Sequence, residues 1–310
     1  MSDDINEITR PFGGDIAYYL ETTYGTLAIA TDATYLVSNK VLNARLDSGD
    51  VHKTLRGINR ASVCSFIETG GDNVLHLEWV FQPHDASLAT YCVNRTNGDI
   101  ASLTFVLATN KDVTSHASYF TLKGCKAKNW NLSSSKGEEY VCTADFSVKE
   151  VDVSNTKPTN YGQPSDLNYG THKLAGFNQA GTITFTGGYN AYITNSINIT
   201  VNNNLQDYWQ VGSTDKRAAI PGALDVTGSA DLSLDAGGGE PWTNIVDSFT
   251  DITSLVIDTA CPGGTDTTCG KITLSDGKYD SISIPVGLEN GTMMSSLPFT
   301  FKTIAFATST

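Results

Sequence analysis

The chain has 310 residues, 40% of them apolar and only 17% charged, with 33 acidic against 20 basic side chains and a formal net charge of −13. At roughly 150 residues per domain this is enough for about two packed cores, and the low charge leaves Ser, Thr, Asn and Gly to cover the surface, as in an all-β protein rich in turns. The acidic balance excludes a protein that grips DNA by counterion release and suits a surface that DNA passes without adhering, with plain solubility as the blander reading.

The opening Met1-Ser2-Asp3-Asp4-Ile5-Asn6-Glu7 has neither a basic n-region nor an apolar h-region. No apolar run approaches the roughly 18 residues of a membrane-spanning helix. The expectation is therefore a product of the cytoplasm with no membrane partner. From Gly14 onward the chain reads as short strands. A strand near Thr34–Asn43 is followed by a loop from Asp47 to Arg56 and a strand ending at Ile67. A Gly70-Gly71 break leads to a helix of two turns over Asp85–Tyr91, started by Pro83 or Asp85. Phe120 and Leu122 share one parity and Cys125 and Ala127 the other, which predicts a bulge at Gly124. Ser133–Gly137 is the expected turn into a strand where Tyr140, Cys142, Ala144, Phe146 and Val148 alternate with polar neighbours.

Residues 154–170, with Pro158 and Pro164, read as a linker between a first β-domain, 1–153, and a second, 171–310. The order of elements then repeats: a strand at Tyr192–Val201, a longer loop from Asn204 to Pro221, a strand ending at Leu234, a Gly237-Gly238-Gly239 break and a helix over Glu240–Phe249. Pro241 suits the first position of that helix, and Trp242, Ile245, Val246 and Phe249 share one face. The echo between Ala144–Val148 and Ala230–Leu234 aligns different strands, so it reflects shared strand grammar. Asp276-Gly277, between Ile272/Leu274 and Ile282, Ile284, Val286 and Leu288, is the strongest short hairpin signal. Pro285 implies an edge or a break. Phe299, Phe301, Ile304 and Phe306 make a closing strand with a one-residue slip after Phe301.

No catalytic constellation emerges. There is no Gly-x-Ser-x-Gly, no His-Glu-x-x-His and no dinucleotide fingerprint. Gly264–Lys271 ends in Gly-Lys, but it is one residue too long for a phosphate loop and Ile272 stands where Ser or Thr is needed. His52, His76, His84, His116 and His172 show no ligand spacing. No catalytic, cofactor-binding or metal residue is named. No Cys-x-x-Cys occurs; Cys261 and Cys269 bracket a loop that a disulfide could close, Cys125 and Cys142 lie on two strands of one hairpin, and Cys64 and Cys92 read as free thiols. A long loop with exposed aromatics is more often functional than accidental. Asp207, Tyr208, Trp209, Asp215, Lys216 and Arg217 of the second loop, with Asp47, Asp50 and Arg56 of the first, are the candidate contacts with other subunits. The alternative is that Trp209 packs back on its own domain.

Gly13-Gly14-Asp15-Ile16-Ala17-Tyr18 followed by Glu21-Thr22-Thr23-Tyr24-Gly25-Thr26 resembles the opening of tail tube (major tail) proteins of long-tailed phages and archaeal tailed viruses. Leu122–Lys126, with Trp130-Asn131-Leu132 and Gly137–Tyr140, is similar to their central hairpin, and Ser196–Leu205 with Gly222–Gly228 to the hairpin after it. The Cys261–Cys269 loop departs from that pattern. The resemblance implies an all-β fold with one short helix per domain: tandem β-sandwich or barrel-forming tail tube domains. It implies homo-oligomeric rings in which strands of adjacent subunits close a barrel, long loops reach the neighbouring ring, and genomic DNA passes in transit without specific binding. Two tandem domains make a trimer with six similar domains the preferred ring, a hexamer the second. Other tail proteins are the remaining partners, and the virion tail is the expected location. The rival reading is a virion or cell-surface β-sandwich that binds carbohydrate or a receptor; an enzyme with a scattered site would show one deep pocket with perturbed carboxylates.

Overall fold

The computed structural model describes residues 15–26, 41–47, 49–56, 63–81, 87–109, 118–135, 137–156, 158, 182–186, 194–211, 213, 215–234, 251–258, 271–281 and 293–307. The first half contributes β1 (Asp15–Leu20), β2 (Val41–Asp47), β3 (Asp50–Arg56), β4 (Val63–Gly71), β5 (Asn73–Val80), α1 (Ser87–Val93), β6 (Arg95–Thr96), β7 (Asp99–Ile100), β8 (Leu103–Thr109), β9 (Ser118–Ser135), β10 (Val141–Val148) and β11 (Glu150–Ser154). The second contributes β12 (Thr182–Thr186), β13 (Thr194–Asn202), β14 (Gln206–Trp209), β15 (Lys216–Ile220), β16 (Asp225–Leu234), β17 (Ile252–Asp258), β18 (Lys271–Tyr279) and β19 (Met293–Ala307). The all-β expectation holds.

Alternation builds the strands. Along β10, Cys142, Ala144 and Phe146 are buried while Thr143 is exposed between them. Thirteen strands join one antiparallel sheet, and the same order runs through both halves: β1-β8-β9-β10-β5-β2 in the first, β12-β17-β18-β19-β16-β13 in the second. Registers match as well as order. The cross-strand row Asp47–Val74–Ser147–Lys126 answers to Thr200–Thr227–Thr300–Lys278. Between β2 and β5, and again between β13 and β16, the chain inserts a hairpin that forms a two-stranded sheet of its own, β3–β4 and β14–β15. The expected repeat was therefore one strand out of step. The strand ending at Ile67 is β4, which runs on through Gly70-Gly71 because Gly71 still pairs with Asp50; the counterpart of β16 is β5.

The halves are joined by hydrogen bonds between β13 and β9, where Ile199 stands opposite Leu132 and Val201 opposite Trp130. One apolar core runs across this seam. The buried Trp130 ring meets Phe306 edge-on at 5.4 Å, and Phe81 lies 6.2 Å from the same ring. Helix α1 buries Leu88, Ala89, Cys92 and Val93 and lies against β9 and β19. The expected start at Pro83 or Asp85 lies outside the described residues, and the helix runs two residues past the expected Tyr91, to Val93.

The bulge at Gly124 is present. Leu103 pairs with Cys125 but Phe105 with Leu122, so β9 holds one extra residue, and Gly124 takes φ +63°. Asp276 takes φ +56° at the matching place in β18. Here the hairpin expectation at Asp276-Gly277 is corrected: β18 continues unbroken because β17 and β19 occupy both its edges. A Cβ at position 277 would overlap the Phe301 ring, so glycine there admits a ring and not a turn. The slip after Phe301 is real, with Lys302 and Thr303 both exposed before buried Ile304. The turn expected at Ser133–Gly137 falls later: β9 reaches Ser135, whose carbonyl accepts from the Glu138 amide at 2.9 Å. The helix over Glu240–Phe249, the strand from Ile282 to Leu288 and most of the linker lie outside the described residues.

Candidate functional site

The β14–β15 hairpin is rooted by a buried charge. Lys216 is fully enclosed; its Nζ donates to Asp72 Oδ1 at 2.7 Å and Ser147 Oγ at 2.6 Å and sits 2.9 Å from Asp207 Oδ2. Ser147 Oγ in turn donates to Asp207 at 2.8 Å. Lys128 lies 3.7 Å from Asp72 and 3.9 Å from Asp207. A buried ammonium is tolerable only when paired and hydrogen-bonded, and here two carboxylates and a hydroxyl satisfy it. Burial alone would raise the Asp72 carboxyl, but the Lys216 hydrogen bond and charge, with Lys128 behind them, hold it below the ordinary carboxylate value. Asp72 stands between β4 and β5, so one cluster ties the roots of both inserted hairpins together.

This corrects two expected contact residues. Lys216 and Asp207 face inward and hold the hairpin to its own chain, alternating with exposed Arg217 and Tyr208, while a bulge between Tyr208 and Trp209 breaks the alternation and leaves Trp209 partly outward. Tyr208 is 46% exposed, Trp209 42% and Val211 fully exposed at the tip; Asp215 and Arg217 are exposed too. Trp209 packs in part on its own chain, its ring centroid 5.6 Å from Lys216 Nζ, and keeps the rest of its surface in solvent. In the first hairpin, Asp50 and Arg56 lie in β3, where only the backbone is described. Asp47 ends β2, exposed, 2.9 Å from Arg45 and 3.1 Å from His76 Nε2.

A second joint was not legible in the sequence. Lys126, almost buried, pairs with Asp99 at 2.7 Å and donates to the Ala219 carbonyl of β15 at 2.9 Å. Arg95 donates to the Gly222 carbonyl at 2.6 Å. Buried Asn203 donates to the carbonyls of Cys92 and Ala127 at 2.8 and 3.0 Å. An Asn-Asn-Asn run reads locally as turn chemistry, so nothing marked its middle residue as a seam. Glu21 does similar work in the first half. Its carboxylate accepts from the Gly124 and Gly25 amides, both at 2.8 Å, and from the hydroxyls of Ser102 and Thr104 at 2.5 and 2.6 Å.

Cys125 and Cys142, which on two strands of one hairpin were a possible disulfide pair, are both free and buried, as is Cys92. The hairpin register puts Leu132 opposite Cys142, and Cys125 faces Leu103 across the other edge of β9. Burial drives all three thiols upward in pKa, away from thiolate. Cys261 and Cys269 lie outside the described residues.

One sheet face is apolar and covered. The other carries amides, hydroxyls and carboxylates. Asn131 Nδ2 donates to Asn198 Oδ1 and Thr200 Oγ1, both at 2.9 Å, Asn129 Nδ2 donates to Asp145 at 2.8 Å, and His76 bridges Asp145 and Asp47. Strand β2 pairs only with β5, and its other edge has no partner among the described residues; Leu42 there is 53% exposed. A cleft of about 610 Å³ opens where β17, β18 and β19 bend, lined by Asp251, Ile252, Asp276, Lys278, Asp280 and Phe301 among others. Among the described residues, no helix is long and apolar enough to cross a membrane.

A wet sheet face, a strand with one edge unpaired among the described residues and two inserted hairpins belong to an all-β protein built on one large antiparallel sheet. The profile of the phage tail tube protein family matches residues 12–301, almost the whole length, and the chain belongs to that family. It is a structural component of the phage virion tail, from a family that assembles with itself and with other tail proteins. Comparison with curated proteins gives no match.

Proposed function

We propose that copies of this chain close into rings that stack as the tail tube and conduct the genome during ejection. The observation that carries this reading is the β13–β9 seam. Within one chain, the outer strand of the second half is added to β9 of the first. Strand β2 occupies the same place in the first half, and its outer edge has no partner among the described residues. Unpaired edges invite strand addition, and repeating one heterologous contact around an axis removes them. Residues 1–153 and 171–310 act as two tail-tube-like domains joined by 154–170. Three chains then supply six similar domains, so a trimer is preferred to a hexamer. The wet face lines the bore, where Glu78, Asp145 and Asp231 help keep DNA from adhering. The hairpin residues Tyr208, Trp209, Asp215 and Arg217, with Asp47, Asp50 and Arg56, meet neighbouring subunits. Synthesis in the host cytoplasm, whether the virus infects bacteria or archaea, precedes incorporation in the tail.

Negative-stain microscopy of the purified protein tests this. Rings or tubes with threefold averages are the expected result. Particles that sediment as monomers at every concentration would overturn it.

A further inference from the structure

We propose that the cleft at the bend of β17, β18 and β19 receives the β3–β4 hairpin of an adjacent copy of this chain. The inference rests on the ring reading above and assigns one of its contacts. Its basis is the internal repeat. In the first half, the row Ser147–Lys126 is covered by the β14–β15 hairpin that the second half inserts: Ser147 donates to Asp207, and Lys126 donates to the Ala219 carbonyl. Both floor residues are thereby buried, Ser147 completely and Lys126 to 5% exposure. The matching row in the second half is Thr300–Lys278. Nothing among the described residues covers it in the same way. Lys278 has 70% of its side chain exposed, Thr300 is exposed, and the cleft lies over them.

The hairpin that matches β14–β15 is β3–β4, inserted at the same point of the strand order. It springs from β2, the strand whose outer edge has no partner among the described residues. A neighbour placed to pair with β2 is therefore the copy that β3–β4 would reach, just as β14–β15 reaches across the β13–β9 seam. Charge supports the match with the signs exchanged. In the seam within the chain, Asp207 of the hairpin lies 3.9 Å from Lys128 of the floor, and Lys126 beside it on β9 donates to the hairpin's Ala219 carbonyl. In the cleft, Asp280 stands two residues beyond Lys278, where Lys128 stands two beyond Lys126, and with Asp251 and Asp276 it outweighs Lys278 and Lys302. Strand β3 carries Lys53 and Arg56, with His52, against the single acid Asp50, a net basic complement.

Two measurements test this. First, assembled wild-type protein made from mixed isotopically light and heavy chains is treated with a carbodiimide. Cross-links of mixed mass between Lys53 and Asp280 or Asp251 are expected. Second, Asp251→Lys with Asp280→Lys, at exposed positions and checked for native circular dichroism, should lose the ring peak in sedimentation, and adding Lys53→Glu with Arg56→Glu should restore it. Wild-type rings that yield cross-links only elsewhere, or a doubly reversed cleft that assembles as wild type does, would overturn the docking and leave the rings standing. A wild-type chain that never assembles would overturn both.

Discussion

Lys216 brings a full charge into the interior and is held there by Asp72, Asp207 and Ser147. Lys216→Met removes the ammonium but leaves two carboxylates facing each other, so urea unfolding should show a loss of about 3–5 kcal/mol. The same cluster sets an acid limit. The folded Asp72 carboxyl lies below its ordinary value of 3.8, so its contribution is fully present above that value and is lost as pH falls through the lower, folded one. Asp72→Asn should flatten the acid limb of a stability-against-pH curve measured by denaturant titration; an unchanged limb would mean the cluster is not what fails in acid. Glu21 is the second residue of this kind. Glu21→Ala strands the Gly124 and Gly25 amides and two hydroxyls, and a loss of about 3 kcal/mol in the same assay is expected.

Among elements, the β14–β15 hairpin separates anchoring from contact along its own length. Its inward residues secure it, and Tyr208, Trp209 and Val211 remain in solvent. Replacing those three by serine should leave the melting temperature within a few degrees of wild type, since surface changes are usually within about 0.5 kcal/mol. Electron micrographs of that variant should show single rings in place of tubes; tubes of normal length would remove the hairpin from the stacking contact. The bulge in β9 was legible because a parity break coincided with a glycine. The kink in β18 was not, since Asp-Gly signals a turn until two neighbouring strands claim the edges on either side of it. The difference is non-local: only the pairing of β18 with β17 and β19 decides it.

For the whole molecule, the repeated strand order gives β2 the place that β13 holds in the second half, and in the proposed ring that edge is where the next copy joins. Leu42→Lys with Ala44→Lys puts charge on that edge, a common defence against strand addition. The variant should stay folded by circular dichroism and sediment as a monomer; intact rings would move the subunit boundary elsewhere. Strand alternation, the low charge, the doubled order of elements and the likeness to tail tube proteins were all available from the residues themselves, because period and turn chemistry are written over a few positions. What waited for the tertiary structure was the seam between the halves, the inward turn of Lys216 and Asp207, and the covering of the Ser147–Lys126 row by β14–β15, with no like cover over Thr300–Lys278 among the described residues. Each depends on which distant strand lies alongside, and a chain read in order carries no direct record of that neighbour.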